Sequence, residues 1–176
     1  MVPEELKNGL VKDGVMTDLG LRTLSTLLDY MEPHPNLTPG FQISPYGIFE
    51  KIMSKTVPTA VELIIVHDGK IFLTWREDKF FHGWHTPGSY ISLGETLLQT
   101  AQRIADREVP GIKIKSTEII GGVSHNNSNR FHDFSALVAV EFEGNIKTEG
   151  KWFSEEPKDL IEAHKPFWPT IEKLLW

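Results

Sequence analysis

The fold of this chain is decided by residues 83–112, which read GWHTPGSYISLGETLLQTAQRIADREVPGI. The first part belongs to a stretch rich in glycine and aromatic residues, which predicts a loop over Glu77–Leu93. The second part predicts a helix over Thr96–Arg107, which Pro110 and Gly111 end. Loops held by a rigid scaffold often carry binding and catalytic groups, so the function is sought at this loop and helix.

The predicted helix carries an acid at the end of its apolar face. At 100° per residue, Glu108 lies on the same face as three apolar residues, Leu97, Ala101 and Ile104. A charge in that position needs a partner, and a metal ion would serve. The alternative is that Glu108 is simply solvated at a frayed helix end.

The segments around this region alternate between strands and helices. Two β-rich runs, 60–67 and 70–76, flank Asp68 and Gly69, a two-residue hairpin signal. Further strands are predicted over 112–125, 134–142 and 146–153, with helical pieces after Ser154 and around Thr170. The mixture predicts an α/β or α+β fold.

The N-terminal third has a different character. Leucines at helical spacing predict a helical segment over 1–31, with Thr17 and Asp18 as a capping signal. Four prolines make 32–45 a linker, and a short helix is predicted over 46–55. We therefore predict two parts, an N-terminal helical extension and linker over 1–55 and the main domain over 56–176.

Composition excludes several classes of protein. The net charge of −6 argues against a nucleic-acid polymer as partner, because such binding draws on clustered Lys and Arg. There is no cysteine, which excludes disulfides, thiolate nucleophiles and Cys-type zinc sites. No basic start followed by an apolar run is present, and no apolar stretch approaches ~20 residues. We expect no membrane partner and a cytoplasmic location.

The central stretch resembles the box of the Nudix hydrolase family. That box runs Gly, five residues, Glu, seven residues, Arg-Glu-apolar-x-Glu-Glu-x-Gly-apolar, and Pro-Gly usually precedes it. The matching residues are Pro87, Gly88, Gly94, Glu95, Thr96, Ala101, Arg103, Glu108, Gly111 and Ile112. The resemblance covers roughly Val57 to Phe153. It implies an α/β/α sandwich with a central mixed β-sheet, to which the N-terminal helical extension is added.

The sequence departs from the box at residues that matter. Ser89 replaces the box glycine, Ile104 replaces the glutamate after the arginine, and Arg107 replaces the first of the paired glutamates. Pro110 is an additional residue. Two of the three usual metal-binding carboxylates are therefore missing, a pattern similar to the GDP-mannose mannosyl hydrolase branch.

The resemblance to this branch implies one Mg²⁺, or Mn²⁺, held by the Gly88 carbonyl, the Glu108 carboxylate, a loop ligand and the substrate's diphosphate. One surviving acid is workable, because Mg²⁺ typically takes one or two carboxylates together with phosphate oxygens and waters. The implied substrate is a small nucleoside-diphosphate-linked molecule, such as a nucleotide sugar. Attack of water at the sugar carbon or at phosphorus is left open.

Other site residues follow from the resemblance, each beside a simpler explanation. Glu95 and Arg103 pair in the family to hold the loop and are counted with Glu108 as catalytic, although Glu95 is also explained as a helix cap. Arg76 is expected to contact the diphosphate, and Trp84 and His125 to contact the substrate. The simpler explanations are that Arg76 is a surface residue and that His125 has a structural role. Trp84, like Phe80 and Phe81, is explained equally as part of the core.

The general base has no clear candidate. The branch has Gln-His in the loop before its Arg-Trp, where this chain has Ile146 and Lys147. Glu149 and His132 are guesses from their place in the sequence. This gap and the missing acids keep a second hypothesis open, a catalytically degenerate Nudix-fold domain that binds or senses a nucleotide. The N-terminal extension suggests a homodimer contact.

Overall fold

The computed structural model describes residues 9–13, 15–30, 56–78, 80–126 and 132–175. The chain divides into two compact units, Met1–His34 and Pro35–Trp176. The predicted boundary at 55/56, the proline-rich linker and the helix over 46–55 fall on residues that lie outside the described ranges. The domain division at 55/56 therefore stays a prediction.

The first unit contains a hairpin followed by a helix. Strands β1 (Val11–Lys12) and β2 (Val15–Met16) pair antiparallel, and helix α1 spans Asp18–Tyr30. Thr17 caps this helix, since its Oγ1 accepts from the Gly20 backbone N–H at 3.1 Å. The prediction of helix throughout 1–31 was wrong for 11–13 and 15–16. Asp13 there has a φ of 52°, a left-handed conformation that turns the chain instead of continuing a helix.

Within residues 56–78, 80–126 and 132–175, the described part of the second unit, there are eight strands, one long helix and three short helical segments. The strands are β3 (Thr59–Ile64), β4 (Val66–His67), β5 (Lys70–Glu77), β6 (His82–His85), β7 (Gly88–Tyr90), β8 (Ile112–His125), β9 (Asp133–Gly144) and β10 (Lys151–Phe153). The helices are α2 (Leu97–Glu108), a 3₁₀ segment (Glu162–Phe167), α3 (Trp168–Ile171) and a final 3₁₀ turn (Glu172–Leu174).

The strands form two sheets. The central sheet has the order β7-β3-β9-β8, in which β3 and β9 are parallel and the other neighbours antiparallel. The second sheet has the order β10-β5-β4, and β6 also pairs with β5. The prediction of a mixed α/β fold with a central mixed sheet is confirmed.

The run 60–67, predicted as one strand, is shared between the two sheets. It breaks at Ile65, so that β3 joins the central sheet while β4 pairs with β5. The hairpin turn itself is as predicted: Asp68 and Gly69 have φ values of 49° and 67°, the left-handed pair that a type I′ turn requires.

The core lies on both faces of β3, since alternate side chains of a strand point to opposite faces. Val61 and Leu63 pack against α2, through Ala101 and Ile104 among others. Ile64 packs on the other side, in a cluster with the C-terminal helical segments. Glu62 alternates with Val61 and Leu63, and so lies on the side away from α2.

Two further predictions from local pattern were wrong. The predicted loop 77–93 contains β6 and β7, which form because β5 and β3 offer them backbone partners. Of the strand predicted over 146–153, only Lys151–Phe153 pairs. In both cases, which residues form strands depends on backbone pairing with other strands, and local residue patterns do not encode this pairing. Among the described helices, none has the length and apolar character needed to cross a membrane.

Candidate active site

The end of α2 meets the Pro87–Gly88 turn. The Gly88 backbone N–H donates to Glu108 Oε2 at 3.1 Å, so the carboxylate lies directly against the turn. The Glu108 side chain is 20% exposed. A capping box at Thr96 and Gln99 fixes where α2 begins, and Ala101 and Ile104 bury its apolar face, which sets the position of its last turn.

Arg107 occupies the other side of the same turn. Its Nη2 donates to the Gly88 carbonyl oxygen at 3.1 Å and also contacts Glu108 Oε1. The Gly88 carbonyl and the Glu108 carboxylate, the two protein donors implied for the metal, are therefore held together by a guanidinium.

A second acid, Glu62, approaches Gly88 from the opposite direction. Glu62 and Gly88 are register partners between β3 and β7. A Cβ added at Gly88 would lie 2.3 Å from Glu62 Oε2, so any larger residue here requires this buried carboxyl group to shift. Thr86 Oγ1 donates to Glu62 Oε2 at 2.7 Å. The pKa of Glu62 is raised from 4.5 to about 8, mainly by burial; the Thr86 hydrogen bond opposes this rise, and the nearby charges of Glu108 and Asp133 contribute to it.

Two buried histidines complete this cluster. The Thr86 backbone N–H donates to His164 Nδ1 at 3.1 Å, so that nitrogen carries a lone pair and Nε2 carries the proton. Burial lowers the pKa of His164 well below 6.5, so the ring is neutral and its 3.9 Å separation from Glu62 Oε2 is not an ion pair. Burial likewise lowers the pKa of His85 to about 4, and Thr74 Oγ1 lies 3.0 Å from its Nε2.

Glu95 and Arg103 are paired across the loop–helix junction. Arg103 Nε and Nη2 lie 2.7 Å from Glu95 Oε1 and Oε2, and Nη2 also donates to the Tyr90 carbonyl at 2.9 Å. Glu95 Oε2 further accepts from the Ser92 N–H and the Thr100 hydroxyl. These contacts tie the loop to α2, and neither residue is among those that line the cavity described below.

We expect Glu95→Gln to lower the free energy of unfolding by about 1 kcal/mol at pH 7, since it removes a bidentate, partly exposed ion pair. The Arg103 hydrogen bonds lower the pKa of Glu95 from 4.5 to about 2. A depressed acid pKa stabilises the fold above the unfolded value and loses that effect as pH falls through the folded value. The stability difference between wild type and Glu95→Gln should therefore shrink between pH 4.5 and pH 2.

Urea denaturation at several pH values measures this difference. Glu118→Gln, an exposed acid on β8, is the control and should show no such pH dependence. A difference that stays constant down to pH 2 contradicts the pairing.

The cluster opens into a cavity of about 850 Å³. Arg76 lies in its wall, held in place because its Nε and Nη2 both bond to Asp78 Oδ2 at 2.7 Å and its guanidinium lies 4.6 Å from the centre of the Phe81 ring. Burial would raise the pKa of Asp78, but hydrogen bonds from the Phe80 backbone N–H and Arg76 lower it overall. These contacts hold the Arg76 guanidinium in one orientation in the cavity wall.

The aromatic wall of the cavity is formed around Trp84. Its ring packs edge-on against Trp75 at 5.2 Å and Phe153 at 5.1 Å, and Lys151 Nζ lies 5.3 Å from it. His125 also lines the cavity, and half-burial lowers its pKa. The predicted substrate-binding residues Arg76, Trp84 and His125 therefore share one cavity with Gly88 and Glu108.

Of the two guesses for a general base, one lies in the cavity wall. Glu149 lines the cavity. His132 is not among its lining residues; its Nε2 lies 2.8 Å from Ser124 Oγ on the surface. Ile146 packs against the core cluster beneath α2.

The donor set at Gly88 suits a hard cation completed by substrate. Within the described part of the chain, no group of three His, Asp or Glu side chains is arranged to hold a metal ion. One carbonyl and one carboxylate nevertheless meet the oxygen-only preference of Mg²⁺, whose remaining ligands are usually phosphate oxygens and water. Glu108 and Gly88 therefore fit a metal that binds together with a diphosphate.

Sequence reasoning missed Glu62, Thr86 and His164. One signal was present, because Glu62 is an acid inside the apolar run Ala60–Ile65, and an acid in a strand buried on both faces needs a specific partner. Nothing local marks His164, which is 78 positions from the threonine that it contacts.

Comparison with known proteins identifies the family. Residues 56–176 match the NUDIX domain. The chain belongs to the Nudix hydrolase family. The predicted membership of this family of hydrolases is confirmed, and members of the family generally use divalent metal ions and act on small nucleotides.

Several known proteins are similar to this Nudix chain. The low-salt glycan biosynthesis protein Agl8 of Haloferax volcanii is 29% identical over 94 residues, 53% of this chain and 56% of that protein. The matched region thus spans little more than half of that relative's length. The ORF135 protein of E. coli superposes with a TM-score of 0.58 at 22% identity, covering 68% of this chain and 91% of that one. The MutT Nudix hydrolase of Burkholderia pseudomallei superposes with a TM-score of 0.56 at 20% sequence identity, covering 66% of this chain and 97% of that one.

Proposed function

We propose that this Nudix protein hydrolyses a small nucleoside-diphosphate-linked substrate with the help of Mg²⁺ or Mn²⁺, and that the substrate is a nucleotide sugar. The observation that carries the proposal is the contact between the Glu108 carboxylate and the Gly88 backbone at the wall of the cavity. The glycan-biosynthesis name of the relative that is 29% identical supports a sugar-linked substrate.

The cation would be held by the Gly88 carbonyl and Glu108, with diphosphate oxygens completing its ligands. When bound there, it would offset the charge of the leaving diphosphate. Arg76 supplies a guanidinium whose N–H groups that do not contact Asp78 can bind phosphate oxygens, and the contact with Asp78 orients it before substrate arrives. Glu95 and Arg103 hold the loop that carries these groups.

The aromatic wall accounts for the remainder of the substrate. Trp84 is held by two neighbouring rings, so it offers a flat apolar face that loses little conformational entropy when a sugar or base packs on it. His125 lies in the same cavity and supplies a neutral ring nitrogen for a hydroxyl group. Glu149 is the proposed general base, because this acidic residue lines the cavity and is not part of the Gly88 cluster.

The test is a screen of nucleoside-diphosphate sugars, dinucleotides and nucleoside triphosphates with Mg²⁺ or Mn²⁺, run in oxygen-18 water. We expect metal-dependent hydrolysis of a nucleoside-diphosphate sugar. Label in the sugar means attack at carbon, and label in the phosphate means attack at phosphorus. No turnover of any of these compounds under either metal overturns the proposal.

One observation favours a second candidate, a domain that binds a nucleotide without turnover. Arg107 bridges the Gly88 carbonyl and Glu108, and the box positions 104 and 107 carry no acid. Binding of a nucleotide in the same screen, detected by calorimetry, with no product at any metal concentration would favour this candidate.

A further inference from the structure

Arg107 is placed where a divalent cation would be expected. A single nitrogen, Nη2, contacts both the Gly88 carbonyl oxygen, at 3.1 Å, and Glu108 Oε1. The second carboxylate oxygen of Glu108 is already used by the Gly88 N–H. One positively charged group therefore bridges the two oxygens that the proposed function assigns to the metal.

The charge balance at this position is unusual for a metal site. Glu108 contributes one negative charge and Arg107 one positive charge, so the pair is neutral before any metal arrives. A divalent cation placed between the same oxygens must displace the guanidinium or meet it at short range. In either case Arg107 lowers the affinity for the metal, because like charges a few ångströms apart repel.

The contact of Arg107 with Gly88 and Glu108 can be broken at low cost. The Arg107 side chain is 53% exposed, whereas that of Glu108 is 20% exposed and bonded to the backbone. An ion pair with an exposed partner contributes at most about 1 kcal/mol. The arginine is therefore the more solvent-exposed member of the pair, whose charge water can solvate when a divalent ion displaces it.

We infer that Arg107 is an internal cation of this site, which competes with the divalent metal for the Gly88 carbonyl and the Glu108 carboxylate. The inference rests on the proposed function in assigning these two groups to a metal. Its consequence is that the free protein binds divalent ions weakly, and that neutralising residue 107 strengthens binding.

The test is a titration of the full chain with Mn²⁺ alone, without nucleotide, in which free Mn²⁺ is followed by electron paramagnetic resonance. We expect Arg107→Ala to bind Mn²⁺ about tenfold more tightly than wild type, because a nearby like charge is removed. Arg107→Gln keeps an N–H donor for the carbonyl but no charge, and should behave like Arg107→Ala. Lys113→Ala removes an exposed charge on β8 and should change the affinity less than twofold.

The double variant Arg107→Ala, Glu108→Gln tests where the ion binds. It should lack the increase in Mn²⁺ affinity that Arg107→Ala shows. Equal affinity in wild type, Arg107→Ala and Arg107→Gln overturns the inference, as does a gain that survives Glu108→Gln. Far-ultraviolet circular dichroism of each variant checks the fold. These affinities are measured without turnover, so a failed substrate screen leaves them intact, and an active enzyme with unchanged Mn²⁺ affinities sinks this inference alone.

Discussion

Glu108→Gln should lower kcat of metal-dependent hydrolysis by about 100-fold or more. The carboxylate is the charged protein ligand of the proposed metal, and loss of about 3 kcal/mol of charge stabilisation in the transition state corresponds to that factor. The glutamine oxygen remains able to accept from the Gly88 N–H, so the turn should keep its position. Initial rates at saturating substrate and several Mg²⁺ concentrations measure the effect.

The matched control is Asp106→Asn. Asp106 lies in the same last turn of α2, but it is exposed and bonds to Gln102 Nε2 at 2.7 Å instead of to the turn. It should retain wild-type kcat and a similar melting temperature. Full activity of Glu108→Gln at ordinary Mg²⁺ concentration would show that Glu108 is not a metal ligand. Equal losses of kcat in both variants would point to general damage to the helix.

Gly88→Ala should destabilise the fold by roughly 1–3 kcal/mol, the usual penalty for a group forced into a packed interior. The added methyl would lie 2.3 Å from Glu62 Oε2 and 2.7 Å from its Cδ, and Glu62 is buried and held by Thr86. We expect turnover to fall as well, because the Gly88 carbonyl and N–H both serve the site. Denaturant unfolding at fixed pH measures the stability.

A double-mutant cycle with Glu62→Ala tests the cause. Removal of the carboxyl group removes the clash, so Gly88→Ala should cost less than about 0.5 kcal/mol in that background. In the Glu62→Ala background we expect Gly88→Ala even to stabilise the fold slightly, because alanine restricts the unfolded chain more than glycine does. Equal costs of Gly88→Ala in both backgrounds would show that contact with Glu62 is not the reason for glycine at this position.

Local signals in the sequence were sufficient for several elements. The helix α2 is specified by its capping residues and apolar face, and the hairpin at Asp68 and Gly69 by a dipeptide that accepts positive φ. Strand β8 was predicted with the bounds that it has in the structure, Ile112–His125. The box residues led to the family and directed attention to Gly88 and Glu108.

Other features depended on partners that the sequence does not announce. Strands β6 and β7 lie in a segment with loop composition and exist because β5 and β3 present free edges to them. The cluster of Glu62, Thr86 and His164 joins residues from three distant parts of the chain. The bridge from Arg107 to the Gly88 carbonyl depends on where α2 ends relative to the turn.

The sequence by itself determined the family, the long helix and which acid survives in the box, because these follow from residue type and short spacing. Only the tertiary structure decided that a buried acid and an arginine meet at the same glycine, and that a neutral histidine lies beside that acid. The physical reason is that periodicity and capping act over a few residues, whereas burial and hydrogen bonding between distant strands are properties of the assembled fold.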